Sequence, residues 1–186
     1  MIFDAVAHCL GNLTNFNGRD PRATFWWYVL FLIVLQFVLG LLASIPLLIT
    51  TAGTAMDAAQ AGADAQAIEQ QMLGSMGGGI ETTAYISAGI TLLLIALIAA
   101  TLARRARDAG FSAWVAAVPL LLHIVAVIGS ITLLDYIGDL LAAASDPAEV
   151  ERLQREMMLH WSSIAGWLAY LLIFIIGIWP SKTVDS

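Results

Sequence analysis

Seven residues in two short segments carry most of the recognisable charge chemistry of this chain: Arg19, Asp20 and Arg22, then Arg104, Arg105, Arg107 and Asp108. A guanidinium group is a planar fork of donors that fits phosphate oxygens in pairs. Arg19, Arg22, Arg104, Arg105 and Arg107 are therefore candidate contacts for an anionic lipid headgroup or another phosphate, each adding ~1 kcal/mol near a membrane surface. Asp20 and Asp108 are their candidate salt-bridge partners. Arg104 and Asp108 are spaced to face each other if one helix runs through both.

Two further polar residues stand out because their neighbours are apolar. His123 lies in a long uncharged stretch, and the residues three and four away from it are Pro119, Leu120, Ala126 and Val127. A proton relay or metal site needs a partner group, and the intramembrane candidates are Gln36, Ser44, Thr91, Ser130 and Thr132. A neutral histidine hydrogen-bonded between helices is the expectation. His160 follows Glu156 by four residues and is expected to form an interfacial pair with it. His8 and Cys9 are adjacent, so on a helix their side chains diverge. Cys9 is the sole cysteine, which excludes an intrachain disulfide and a thiolate cluster.

Enzyme signatures are missing. The sequence has no phosphate loop, no G-x-S-x-G, no H-E-x-x-H and no dinucleotide fingerprint. Gly77-Gly78-Gly79 lacks the lysine that a phosphate site requires, and no candidate span contains an aspartate. A non-enzymatic protein with no cofactor and no bound metal is expected.

The elements that must position these residues follow from composition. Of 186 residues, 60% are hydrophobic and 12% charged, and the formal net charge is −6. Soluble domains carry about 25% charged residues. Four stretches, 23–56, 82–103, 109–134 and 157–181, contain no Asp, Glu, Lys or Arg. Crossing a ~30 Å hydrocarbon core takes roughly 20 apolar residues as a helix, so each stretch is long enough to cross once. The expected fold is all-α: one integral membrane four-helix bundle over 1–186, with spans at about 25–49, 84–102, 113–134 and 161–179. The segments 51–83 and 135–160 lie outside the bilayer.

Residues 2–14 place Ile2, Phe3, Val6, Cys9, Leu10 and Leu13 on one helical face too short to span, which reads as an interfacial helix. With Asp4 in place of a basic n-region, the N-terminus does not read as a cleaved signal peptide. Asp20-Pro21 is a helix start with Asp20 as cap. Phe25, Trp26, Trp27 and Tyr28 suit the headgroup level, and Pro46 is placed to kink or finish the first span. A short helix is expected over 57–73, ended by Gly77-Gly78-Gly79. Asp146, Pro147 and Glu149 form a capping-box start, and that helix is expected to continue into the fourth span. Pairs of small residues, Ala126 with Ser130 and Ser162 with Gly166 among them, allow close helix packing.

With four spans, Arg19, Arg22, Arg104, Arg105, Arg107 and Lys182 fall on one side and Arg152 and Arg155 on the other. The bias places both termini and the 103–111 turn in the cytoplasm.

Two segments carry a family resemblance. NFNGRDPRATFWWYVLF resembles the opening motif of the YhaH-like proteins, small bacterial inner-membrane proteins grouped as a domain of unknown function, at Phe16, Gly18, Arg19, Arg22, Phe25, Trp26 and Phe31. LARRARDAGFSAW is similar to that family's Arg-Arg-Leu-His-Asp-x-Gly-x-Ser-Gly-Trp turn at Arg104, Arg105, Asp108, Gly110, Ser112 and Trp114. It departs at Ala106, Arg107 and Ala113, and the family's Gly- and Asn-rich tail is replaced by WPSKTVDS. The resemblance implies a bacterial inner-membrane location and four helices, and it brings no activity with it.

The expected function is interaction, with membrane lipids (anionic ones preferred), with a membrane protein partner or with further copies of the chain; nucleic acid is not an expected partner. The alternative is a small transporter or channel subunit working as an oligomer, which would place polar groups on a cavity or interrupt helices at the midplane.

Overall fold

The computed structural model describes residues 1–144 and 146–182. Seven helices are present among them, with no strand: α1 (Ile2–Gly11), α2 (Arg22–Gln60), α3 (Ala65–Asp108), α4 (Ala117–Ile131), α5 (Leu134–Ala142), α6 (Pro147–Leu159) and α7 (Trp161–Ile178). A 3-10 turn, Ala113–Ala116, leads into α4. Four helical segments are long and apolar enough to cross a membrane: α2, α3, the 3-10 turn with α4, and α7. The chain is an all-α multi-pass membrane protein.

α2 and α3 pack along each other as one antiparallel pair, and α4 and α7 as a second. At 1.5 Å per residue, the 39 residues of α2 and 44 of α3 run ~58 and ~66 Å, about twice a ~30 Å hydrocarbon core. Both helices therefore continue well beyond the bilayer at the end opposite the arginines. The helix expected over 57–73 is not a separate element. α2 continues to Gln60, the chain turns at Gly62, and α3 begins at Ala65 behind the Asp64 cap. Gly77-Gly78-Gly79 does not end a helix either. A Cβ at Gly79 would sit 2.5 Å from Leu47 Cδ1, so the missing side chain lets α2 and α3 approach closely. Pro46 lies inside a continuous α2, and its carbonyl accepts a hydrogen bond from the Thr50 hydroxyl at 2.9 Å.

The second pair uses small residues in the same way. A Cβ at Gly129 would meet Trp161 and Ser162 of α7 at 2.4 and 2.5 Å, and one at Gly166 would meet Ala126 Cβ at 3.6 Å. α4 stops at Ile131, and α5, which contacts both α3 and α6, covers the bundle's end opposite the arginines. Asp146 caps α6 as expected, accepting from the N–H groups of Ala148 and Glu149 at 3.1 and 3.3 Å. α6 does not run on into α7. His160 adopts extended backbone (φ −60°, ψ 140°), ending α6 and capping α7. Its Nδ1 accepts from the Ser162 hydroxyl at 2.8 Å. The expected His160–Glu156 pair is absent, since His160 lies outside α6 and off its helical face, and Glu156 pairs with Arg152 at 2.6 Å.

Candidate functional site

The two arginine segments meet at one end of the bundle, and the pairing there differs from the helical i,i+4 expectation. Arg104 does not face Asp108. Its Nε donates to Asp20 Oδ2 at 2.8 Å across a sequence separation of 84 residues, and both side chains are buried. The rest of the guanidinium is also engaged: Nη1 donates to the carbonyls of Asn12 and Asn15 at 2.8 and 2.6 Å, and Nη2 to the Thr101 hydroxyl at 3.1 Å. Asp20 Oδ1 accepts from His8 Nε2 at 3.1 Å. Asp20 thus acts as a buried anchor, and α2 begins behind Pro21 with no side-chain cap.

Arg105 takes Asp108 instead, and it reaches the other terminus of the chain. Its Nε donates to the Gly177 carbonyl at 3.3 Å, and its terminal nitrogens donate to Asp108 Oδ2 and to the Trp179 carbonyl. Asp108 also accepts from the Ser181 hydroxyl at 2.5 Å, while its backbone carbonyl accepts from the Lys182 N–H at 2.7 Å. Arg107, half-buried, donates to the carbonyls of Gly18 (3.0 Å) and Phe16. Successive arginines on α3 therefore hold different parts of the chain: Arg104 and Arg107 the segment 12–20, Arg105 the segment 177–182.

The glycines of these segments have a conformational reason. Gly18 and Gly110 hold φ of +95° and +85°, in the left-handed region where a Cβ is strained. Gly110 lets the chain leave α3 within two residues, and Gly18 brings the 15–19 loop over the Arg104 stem, 3.8 Å from where a Cβ would be.

Arg104 and Arg105 are 2% and 0% exposed, so neither is open to a lipid headgroup. That corrects the expectation of five surface guanidiniums. Arg19 and Arg22 are exposed, and neither has an ion-pair or hydrogen-bond partner among the described residues. Arg19 borders a shallow cleft between α1 and the start of α2, together with His8 and Trp27. At the opposite end, Arg152 is held by Glu149 and Glu156, and Arg155 by Glu151. The bonds from Arg152 hold the Glu149 carboxyl below the usual carboxylate range.

α1 lies against α2, burying Ala5 and Cys9 while Phe3 stays 85% exposed. Cys9 packs with Tyr28, Leu32 and Leu94. Burial raises its thiol pKa and is the largest influence on it, which makes Cys9 an unreactive core residue. His8 was not foreseen as the second partner of Asp20. The signal was available, since His8 lies on the opposite face of α1 from the apolar stripe and can turn toward the loop.

Deeper in the bundle, several helix hydroxyls bond back to their own helix: Ser44 to Leu41, Thr91 to Ser87, Ser130 to Val127 and Thr132 to Gly129. The Tyr28 hydroxyl donates across to the Leu97 carbonyl at 3.2 Å, and the buried Thr51 hydroxyl has no partner among the described residues. His123 does not make the interhelical hydrogen bond expected of it. It has no hydrogen-bond partner among the described residues, and its ring stands edge-on to Tyr170, centroids 4.5 Å apart. Gln36 also has no protein partner there, and both line one cavity of about 130 Å³ between the two helix pairs.

No curated protein and no solved structure matches the chain. A family model does match, over residues 13–184, a stretch that includes both arginine segments and every spanning helix. The chain belongs to the family described as proteins of unknown function, DUF805.

Proposed function

We propose that this is a non-enzymatic protein of the bacterial inner membrane, YhaH-like in kind, with both termini cytoplasmic. Its arginine-rich end contacts anionic lipid, and its exposed helix faces offer contacts to further copies or to another membrane protein. The observation that carries the lipid contact is the division of labour among the arginines. Arg104, Arg105 and Arg107 are used inside the chain, whereas Arg19 and Arg22 at the entry of α2 are exposed and have no ion-pair partner among the described residues. Trp27, 39% exposed, stands beside them at the level that indole rings favour. The orientation rests on six basic residues at that end against two, already paired with glutamates, at the other.

The alternative of an oligomeric transporter or channel subunit is disfavoured for ions. No charged residue lines the cavity between the helix pairs, so an ion there would meet no counter-charge.

Native mass spectrometry of the purified protein, with phosphatidylglycerol and cardiolipin competing against phosphatidylethanolamine, tests the lipid reading. Arg19→Gln with Arg22→Gln lowers retention of the anionic lipids, and Arg152→Gln with Arg155→Gln leaves it unchanged. Equal retention by wild type and the Arg19/Arg22 variant overturns the reading.

A further inference from the structure

Gln36 and His123 present an energetic problem that the fold alone does not solve. Gln36 stands ~17 Å along α2 from Phe25, and His123 ~15 Å along the third span from Ala113, so both lie near the middle of a ~30 Å core. An amide or imidazole without a hydrogen-bond partner at that depth is costly, since hydrocarbon offers none. His123 is only 8% exposed. The two residues belong to different helix pairs and wall the same cavity, together with Leu32, Leu94, Ile98 and Ile173. The cavity opens sideways, where Ile33 and Tyr170 are 58% and 49% exposed.

We propose that this slot binds a neutral, hydrocarbon-soluble molecule with carbonyl oxygens on a flat apolar ring, of the quinone class. Four features select that chemistry. The lateral mouth admits a molecule already dissolved in the bilayer. The lining carries no charge, so an ionised ligand is excluded. Carbonyl oxygens accept from the Gln36 amide and from an imidazole N–H, supplying the partners that both groups lack among the described residues. Phospholipid headgroups and ester carbonyls stay at the interface, ~15 Å away, and cannot supply them. A mostly apolar pocket with a few convergent polar groups is the usual form of a small-molecule site. The proposal is for binding alone and is independent of the lipid contact at Arg19 and Arg22.

The test uses the full chain in phosphatidylcholine nanodiscs, titrated with a short-chain alkylated benzoquinone and separately with the alkane lacking the ring. The quinone raises the thermal midpoint saturably, as a ligand of the folded state must, and the alkane does not. Gln36→Leu and His123→Leu each weaken binding by about three- to tenfold, the range for polar contacts in membranes. His123→Gln restores most of it. Ile33→Trp, at an exposed position where folding is not at stake, closes the mouth and removes binding while both polar groups remain. No saturable shift with wild type, an equal shift from the alkane, or an unchanged affinity in Ile33→Trp overturns the proposal.

Discussion

Arg104 and Asp20 form a buried ion pair at 2.8 Å that ties the loop before α2 to the end of α3. Removing one partner of such a pair leaves the other charge buried without compensation, at about 3–5 kcal/mol. Arg104→Gln and Asp20→Asn are each expected to destabilise the fold by that order, read as a lower thermal midpoint in detergent. The double variant Asp20→Leu with Arg104→Met is expected to recover part of the loss. If either single variant melts with wild type, the pair does not hold the loop.

Arg105 fixes the segment after α7 through Gly177, Trp179 and Asp108. Arg105→Gln frees that segment, and limited trypsin digestion should cut after Lys182 about tenfold faster, the effect of ~1.4 kcal/mol on local opening. An unchanged cleavage rate would show that the Lys182 N–H bond to the Asp108 carbonyl suffices.

Helical glycines separate into those that permit packing and those that do not. At Gly129 an added Cβ would collide with Trp161 and Ser162, so Gly129→Ala is expected to cost about 1–3 kcal/mol. Gly74, in the part of α3 beyond the bilayer, has nothing within 4 Å, so Gly74→Ala is expected to stabilise by up to ~1 kcal/mol. Thermal melts of the two variants should move in opposite directions.

Cys9 gives a pH dependence of known sign. Its folded pKa is raised above the ordinary 9.0 by burial, so the contribution is fully present below pH ~9 and is lost as pH rises through the folded value. Alkylation by maleimide at pH 8 should be slow in the folded protein and fast after denaturation. Cys9→Ser should reduce the alkaline loss of stability by the share that Cys9 contributes. Rapid labelling of the native protein at pH 8 would contradict the buried placement.

Topology is open to direct measurement. A periplasm-active reporter fused after Gly62 or after Asp146 should be active, and one after Lys182 silent. Activity after Lys182 would reverse the proposed orientation.

The architecture was largely legible because its cause is compositional. Four uncharged stretches of spanning length leave the backbone no choice but helix in hydrocarbon, and the Asp146 cap was visible because capping is a local interaction. Local signals failed where a neighbouring helix changed the outcome. Gly77-Gly78-Gly79 read as a terminator, but packing of Leu47 against Gly79 keeps α3 continuous. His160 read as the partner of Glu156, yet its extended backbone takes it out of α6, so it caps α7 while Arg152 pairs with Glu156.

The sequence by itself determined that the chain is helical and spans a membrane, that basic residues gather at one end, and that Gln36 and His123 lie among apolar residues. These depend on composition and on spacings within a single helix. Only the tertiary structure decided that Arg104 takes Asp20 while Arg105 takes Asp108, that Arg19 and Arg22 are left exposed, and that Gln36 and His123 share one cavity. Arg105 and Asp108 are only three residues apart on α3, but the other bonds of that guanidinium reach Gly177 and Trp179, and the remaining outcomes likewise depend on segments far apart in the chain. The ion pairs went to those partners because a buried guanidinium needs most of its donors satisfied at once, and the carbonyls of 12–15 and 177–179 together with Asp20 and Asp108 satisfy them better than one residue four positions along the helix.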